Sequence, residues 1–275
     1  MSNSSFAEEF EFHHLAQRPW YKRCPEWLVE NCGIESPSML VDLGCGSGSL
    51  TQMLLNRFTA GDGLRIVGID PSEPELKIAS KAVTDERVQF VQGRAQDLPQ
   101  LVQNVDSVLM CNVLHLIPEH ERPEVFQHIY RVLKPGGTCA FNTLYYEGDI
   151  VPETRKFYSA WMLCAFETLR RQGIHARADR HGVSALQRLT PEQHRDLLVA
   201  AGFGEVLIEE PIFQWTVNDW KALSRYSIFI QNTLRNIDLD KGSTALQVGV
   251  AAAYRELNLE VVPRRFLHVA ARKIQ

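Results

Sequence analysis

Apolar residues fall in short runs that alternate with longer amphipathic segments along much of the chain. Runs such as 39–41 and 64–69 are bounded by glycine, proline or acidic residues, which is typical of buried strands. Helical patterns lie between them, and this alternation favours a parallel sheet with helices on both faces. We therefore predict an α/β fold with five strands within 37–145, a sixth over 204–210 and a last strand over 264–272.

The second half of the chain departs from this alternation. Long helical patterns occupy residues 146–189 and 212–260, where a parallel sheet needs only short crossovers. Residues 1–36 also have helical patterns and precede the first strand. We predict an N-terminal helical lid over 1–36 and a main domain over 37–275, with helical cap insertions at about 146–189 and 212–260.

The first insertion carries a stripe of large apolar side chains. One face of its predicted helix, 153–172, presents Phe157, Tyr158, Trp161, Met162 and Phe166. The stripe is either core or the wall of a substrate pocket, and aromatic walls suit an apolar or aromatic small molecule. A polar stretch with Arg177, Asp179, Arg180 and His181 follows this helix. The arginines near 170–188 either face solvent, which the nearby Asp179 and Glu167 favour, or bind an acidic or phosphorylated substrate.

A glycine-rich turn follows the first strand. Residues 42–48 read Asp-Leu-Gly-Cys-Gly-Ser-Gly and run into a helical segment. Glycine has no Cβ and accepts positive φ, so this backbone can approach a ligand closely. The spacing is not the G-x-G-x-x-G of dinucleotide sites, and Asp42 would repel a pyrophosphate. The turn therefore indicates a cationic, amino-acid-like nucleotide.

Polar residues at the ends of the next two strands support a nucleoside ligand. Asp70 ends the second strand, where a carboxylate can accept both ribose hydroxyls. Pro71 is predicted to open the next helix. The third strand is followed by Ala95, Gln96 and Asp97, which suit an adenine edge. Asp97 could instead be the N-cap of a helix that begins at Leu98.

Five segments, taken in order and spacing, resemble the class I S-adenosylmethionine-dependent methyltransferases, in particular the small-molecule, natural-product branch. They are residues 41–48, 68–70, 93–97, 105–117 and 131–141. The resemblance implies a Rossmann-like, seven-stranded, mostly parallel sheet with helices on both faces and a helical cap. It also implies strand order 3-2-1-4-5-7-6 with the last strand antiparallel.

The resemblance implies S-adenosyl-L-methionine as cofactor and S-adenosyl-L-homocysteine as product. The residues it assigns to the cofactor are Tyr21, Asp42, Gly44, Cys45, Gly46, Gly48, Asp70, Pro71, Ala95, Gln96, Asp97, Cys111 and Asn112. Tyr21 is included because an N-terminal helix closes over the cofactor in many such enzymes. Alternatively, Trp20 and Trp27, seven residues apart, lie on one helix face and dock that helix on the core.

The expected activity is methyl transfer to an oxygen, nitrogen or carbon of a small, largely apolar or aromatic metabolite, in secondary metabolism. His115 is the first candidate for a general base, although a structural histidine fits its setting equally well, and Tyr158 is the second. An idle cofactor-binding regulator and an aminopropyl transferase on the same fold are the alternatives. The second typically needs an extra acid after the fourth strand, and residues 111–115 offer none.

Composition narrows the class of protein. The chain has 275 residues, 45% of them apolar, and a net charge of −4. It has no basic stripe interleaved with aromatics, which argues against nucleic acid, and no apolar run of the ~18 residues that a membrane span needs. The six cysteines show no metal-ligand spacing, so we expect no metal and a reducing cytoplasm. No pattern indicates an oligomeric state.

Overall fold

Strands and helices alternate through the first half of the chain, as the apolar pattern predicts. The computed structural model describes residues 13–31, 33, 36–58, 63–175 and 188–274. The predicted polar stretch with Arg177, Asp179, Arg180 and His181 lies outside the described residues, as does Cys32.

The described strands and helices have the following bounds. The strands are β1 (Met39–Leu43), β2 (Arg65–Asp70), β3 (Val88–Gln92), β4 (Val105–Cys111), β5 (Leu133–Thr143), β6 (Phe203–Glu209), β7 (Ile212–Trp215), β8 (Val262–Arg265) and β9 (Leu267–Lys273). The α-helices are α1 (His13–Ala16), α2 (Arg23–Glu30), α3 (Ser49–Arg57), α4 (Glu73–Ala82), α5 (Leu98–Leu101), α6 (Arg122–Val132), α7 (Thr154–Arg171), α8 (Pro191–Ala200), α9 (Val217–Leu223), α10 (Ser227–Thr233) and α11 (Leu239–Glu256).

The chain divides into two compact units. The sheet unit comprises Arg23–Glu147, Arg188–Pro211 and Phe266–Gln275, and the helical unit comprises Met1–Lys22, Gly148–Gln187 and Ile212–Arg265. Residues of the predicted N-terminal segment 1–36 thus fall in both units, and its action as a lid stays a prediction.

A seven-stranded sheet forms the sheet unit, in the order β3-β2-β1-β4-β5-β9-β6. Strands β1 to β5 are parallel, and β9 runs antiparallel to both β5 and β6. The predicted fold class and strand order are therefore confirmed, including the reversed last strand.

Each face of this sheet is covered by helices of the same unit. On the face that we call the α2 face, Leu28 of α2 packs with Leu40, Leu109, Ala140 and Ala270. The opposite, α6 face contains Phe126, Ile129, Val108, Phe141 and Val269. Because side chains alternate along a strand, residues two positions from Leu40 or Ala270 also point to the α2 face.

The prediction of one final strand over 264–272 is wrong. The chain leaves β8 at Arg265 and enters β9 at Leu267. β8 pairs with β7 in a two-stranded antiparallel sheet, and β7 begins a stretch that was predicted to be helical. A run of strand-forming residues does not encode its partner strand, so its division between two sheets was not visible in the sequence.

Helix boundaries agree with some predictions and correct others. Both ends of α7 lie within one residue of the predicted limits. Thr190 is the N-cap of α8, where its hydroxyl accepts from the backbone N–H of Gln193 at 3.2 Å. Pro71 does not open α4. The helix begins at Glu73, because Ser72 is its N-cap.

Trp20 and Trp27 do not share a helix. Trp20 lies in the turn after α1 and stacks on Trp215 in the helical unit, with ring centroids 4.4 Å apart. Trp27 lies on α2 in the sheet unit. The heptad spacing misled because the segment between them is a turn.

The aromatic stripe of α7 forms the core of the helical unit. Trp161 is fully buried, stacks on Phe229 at 5.5 Å and donates its indole N–H to the Leu246 carbonyl at 2.8 Å. Phe157 packs against Trp220 at 4.9 Å. Of the two interpretations of this stripe, core packing accounts for its two fully buried aromatic residues.

Candidate functional site

The turn between β1 and α3 is built from glycines in the left-handed region. Gly44, Gly46 and Gly48 have φ values of 77°, 50° and 87°. The backbone N–H groups of Gly44 and Cys45 donate to the Ile69 carbonyl at 2.7 and 3.1 Å, which ties the turn to β2. A Cβ on Gly44 would collide with the Val113 side chain. The turn therefore needs glycine for its conformation and for its close packing.

Asp42 lies at the end of β1 and is almost completely buried. Thr51 on α3 donates its hydroxyl to Asp42 Oδ2 at 2.7 Å. Oδ1 has no hydrogen-bond partner among the residues that the structure describes. Burial raises the pKa of Asp42 to about 7, against the opposing effect of the Thr51 hydrogen bonds. Within the described residues, the Thr51 hydrogen bonds therefore offset only part of the effect of burial on this carboxyl group.

Asp70 at the end of β2 holds the same turn from the other side. Its Oδ2 accepts from the Gly46 amide at 2.9 Å and its Oδ1 accepts from the Ser72 amide at 2.8 Å. A carboxylate offers about four acceptor positions, so two remain for a ligand. The two acids are thus brought to one turn by two adjacent parallel strands.

The residues after β3 form a 3₁₀ turn at the neighbouring strand end. Asp97 Oδ2 accepts from the Arg94 amide at 2.8 Å, and Gln96 donates to the Glu121 carboxylate. Asp97 occupies the N-cap position of α5, as the alternative predicts, but its side chain makes no cap hydrogen bond to that helix. Ala95 begins this turn.

The end of β4 is fixed by Asn142 of β5. The backbone N–H of Asn112 donates to Asn142 Oδ1 at 2.9 Å, and Asn142 Nδ2 donates to Cys111 Sγ at 3.6 Å. This holds Asn112 in the left-handed region, at φ 56°. The Asn112 side chain is 4% exposed, and neither of its polar atoms has a partner within the described part of the chain.

Asn142 itself was missed by sequence reasoning. A buried amide within an otherwise apolar strand, Ala-Phe-Asn-Thr, is the signal that could have found it. Its role depends on register, since Cys111 and Asn142 are partners on adjacent strands.

His115 lies in a 3₁₀ turn after β4 and is buried. Its Nδ1 is 3.4 Å from Thr143 Oγ1, and its ring centroid is 4.6 Å from that of Tyr145. The Thr143 hydroxyl also accepts from the Tyr145 amide at 3.1 Å. The end of β5 therefore sets the orientation of this imidazole.

Two predicted site residues lie in the helical unit. Tyr158 accepts a hydrogen bond from Arg264 Nη1 at 2.7 Å, and the Tyr21 ring lies edge-on to Trp20 at 5.8 Å. Their assignment to catalysis and cofactor binding stays a prediction.

Within the described residues, no group of three or more histidine, cysteine or acidic side chains could hold a metal ion.

The sheet-unit groups fit S-adenosylmethionine. The buried Asp42 Oδ1, which has no partner among the described residues, can accept from an ammonium group such as that of an amino acid. Asp70 has spare acceptor positions at the next strand end, where ribose hydroxyls bind in related folds. The turn that lies between the two acids has little side-chain bulk, so a ligand can reach backbone N–H groups.

Comparison with known proteins gives the family. Residues 40–137 match the family described as methyltransferase domain. An uncharacterized methyltransferase of Bacillus subtilis is 29% identical over 142 residues, which cover 52% of this chain and 76% of that protein. An uncharacterized methyltransferase of Mycobacterium bovis is 30% identical over 190 residues, covering 65% of this chain and 68% of that protein. A ubiquinone biosynthesis O-methyltransferase of Pseudomonas savastanoi pv. phaseolicola is 29% identical over 160 residues, which cover 52% of this chain and 65% of that protein.

A solved structure has the same fold with product bound. It is phosphoethanolamine N-methyltransferase 2 of Haemonchus contortus, in complex with phosphomonomethylethanolamine and S-adenosylhomocysteine. The TM-score is 0.55 at 17% identity, over 91% of this chain and 52% of that chain. The chain therefore belongs to the class I S-adenosylmethionine-dependent methyltransferases, and its cofactor is S-adenosylmethionine.

Proposed function

We propose that the protein transfers the methyl group of S-adenosylmethionine to an oxygen, nitrogen or carbon atom of a small, largely apolar or aromatic metabolite. The observation that carries this proposal is the carboxyl group of Asp42. It is buried beside a glycine turn, and its Oδ1 has no partner within the described residues. The amino acid end of the cofactor carries an ammonium group that completes this arrangement.

Neighbouring groups are assigned to the rest of the cofactor. Asp70 accepts the ribose hydroxyls through its two remaining acceptor positions. The side-chain amide of Asn112 is buried, and neither of its polar atoms has a partner among the described residues. Its Nδ2 donates to the methionine carboxylate or to the acceptor substrate. Ala95 and Gln96 flank the adenine, and Asp97 keeps an acceptor oxygen for its amino group.

The bound cofactor supplies an electrophilic methyl group on a sulfonium. His115 then has the remaining chemical role, which is to take a proton from an acceptor atom that carries one. Its Nδ1 contact with Thr143 fixes the ring, and burial of the ring keeps water away. Tyr158 is the second candidate for this role.

The substrate class is supported by the nature of the relatives. One relative is a ubiquinone biosynthesis O-methyltransferase, and the neighbouring structure holds phosphomonomethylethanolamine, which is a small molecule. None of the described helices has the length and apolar character of a membrane span. The five described cysteines form no disulfide with one another, which supports our proposal of a cytoplasmic enzyme. A role in secondary metabolism is part of the same proposal.

Transfer of a labelled methyl group tests the proposal. The protein is incubated with methyl-labelled S-adenosylmethionine and a panel of phenols, catechols, alcohols and amines, and labelled products are separated. His115→Ala should lower turnover at least about tenfold with S-adenosylhomocysteine affinity retained. The matched control is His120→Ala, on an exposed side chain.

Two outcomes would contradict the proposal. Tight cofactor binding without transfer to any compound of the panel would favour an idle regulatory module. Full activity of the His115→Ala variant would remove the proposed proton acceptor.

A further inference from the structure

Another buried polar side chain in the sheet unit, besides those of Asp42 and Asn112, has no assigned role. His268 is the second residue of β9, and it is 2% exposed. Neither Nδ1 nor Nε2 has a hydrogen-bond partner among the described residues. A neutral imidazole presents one donor and one acceptor, and buried polar groups in proteins are nearly always paired. This ring therefore has two unused hydrogen-bonding positions.

Strand register places His268 at the ligand-binding edge of the sheet. Asn142 of β5 and Glu209 of β6 are its partners on the adjacent strands. Asn142 is in turn the partner of Cys111, the last residue of β4. We call these four residues, Cys111, Asn142, His268 and Glu209, the polar row. In sheets of this kind, ligands bind beyond the carboxyl ends of the parallel strands, which is where the row lies.

The row and the cofactor turn lie on the same face of the sheet. His268 is two residues from Ala270 and Asn142 is two residues from Ala140, so both point to the α2 face. Asp42, two residues from Leu40, points there as well. β9 is three strands away from β1 in the sheet, or about 14 Å at ~4.8 Å per strand. His268 is therefore three strands away from Asp42, the acid that we propose holds the ammonium group of the cofactor.

The neighbours of His268 are committed to other partners. The Asn142 amide bonds the backbone of Asn112 and the thiol of Cys111. Glu209 Oε2 accepts from the Trp27 indole N–H at 2.8 Å. That hydrogen bond holds the Trp27 ring beside the imidazole, with centroids 4.8 Å apart and planes inclined by 46°. His268 thus offers a donor and an acceptor next to an aromatic wall.

We propose that His268 binds the acceptor substrate, by a hydrogen bond to a neutral, hydroxyl-bearing aromatic group that packs against Trp27. This inference rests on the proposed methyl transfer to a small metabolite and names its substrate class. Burial lowers the pKa of His268 to about 4, so the ring is uncharged near neutral pH and gives no ion pair to a charged ligand. A phenol can use either unused position, because its hydroxyl can donate to the unprotonated nitrogen or accept from the N–H group.

Ligand-observed NMR titration tests this with 4-ethylphenol and its methyl ether, 4-ethylanisole, in the presence of S-adenosylhomocysteine. The phenol should bind the native protein about tenfold more tightly than the ether, which is the scale of one hydrogen bond. His268→Leu should abolish that preference, and His268→Gln, which keeps a donor and an acceptor, should retain part of it. The control His120→Leu changes an exposed histidine and should bind as the native protein does.

Titration with S-adenosylhomocysteine alone shows whether the variants are folded, and its affinity should stay within about threefold of native. Equal binding of phenol and ether, an unchanged preference in His268→Leu, or no phenol binding at millimolar concentration would overturn the inference. Phenol binding that depends on His268 without methyl transfer to any acceptor would instead contradict the proposed function alone.

Discussion

Cofactor affinity should fall as the pH drops below about 7, because Asp42 must lose its proton to hold an ammonium group. Without ligand, burial raises the pKa of Asp42 to about 7. A bound ammonium group favours the ionised carboxylate and lowers that pKa. Binding below pH 7 therefore releases a proton, and each further pH unit should weaken the affinity up to about tenfold.

The size of the effect follows from the ionised fraction of Asp42. The apparent dissociation constant scales as one plus ten to the power of the pKa minus the pH. For a pKa of about 7, it should rise about threefold between pH 7.5 and 6.5 and about 25-fold between pH 7.5 and 5.5. The second figure corresponds to roughly 1.9 kcal/mol.

Isothermal titration with S-adenosylhomocysteine over this pH range measures the effect. 5′-Methylthioadenosine, which lacks the amino acid group, is the matched control and should bind with little dependence on pH. Asp42→Asn should bind the product weakly and with a flat profile. Thr51→Val removes the hydroxyl that donates to Asp42 Oδ2, so it should shift the profile upward by about one pH unit.

A profile flat within about twofold from pH 7.5 to 5.5 would refute this reasoning. So would an equal slope for 5′-methylthioadenosine, since the titrating group would then not be the one that meets the ammonium.

Three further predictions concern stability. Gly44→Ala places a methyl group against Val113 at a φ of 77°. The variant should lose about 1–3 kcal/mol of unfolding free energy in chemical denaturation, together with most of its cofactor affinity. Native stability and affinity in this variant would exclude the close contact. Asp149→Ala leaves Arg264 buried without the carboxylate that lies 3.0 Å from it, and should cost roughly 3–5 kcal/mol of unfolding free energy; a loss below ~1 kcal/mol would contradict this. Burial lowers the pKa values of His194 and His268 to about 4 in the folded protein. As the pH falls, these two histidines are therefore protonated in the unfolded chain before they are protonated in the folded one. The stability that each site contributes, up to ~3 kcal/mol, should be complete above pH ~6.5 and lost as the pH falls toward 4. His268→Gln should remove its share of this acid loss in urea titrations at several pH values.

Local signals in the sequence were enough to predict the glycine turn after the first strand and the acids at the ends of the first two strands. The turn needs glycines at fixed offsets, and a strand end needs a polar residue, so both requirements are visible within a few residues. The left-handed φ values of Gly44, Gly46 and Gly48 and the contact of Asp70 with the Gly46 amide agree with that prediction. The start of α4 was misplaced by two residues, because Ser72 and Pro71 are both plausible in the first turn.

Pairing between distant segments was not visible. The sequence gives no register, so it could not show that Asn142 holds the Asn112 backbone or that His268 lies beside Asn142. It also could not show that residues 262–273 are divided between two sheets.

The amino-acid sequence by itself indicated the fold class through its alternating pattern and the glycine turn through short-range conformational requirements, and its resemblance to a family implied the cofactor. Only the tertiary structure decided which buried polar atoms have partners, because that depends on which side chains meet across strands. For Asp42, Asn112 and His268, the missing partners among the described residues are what indicate a ligand.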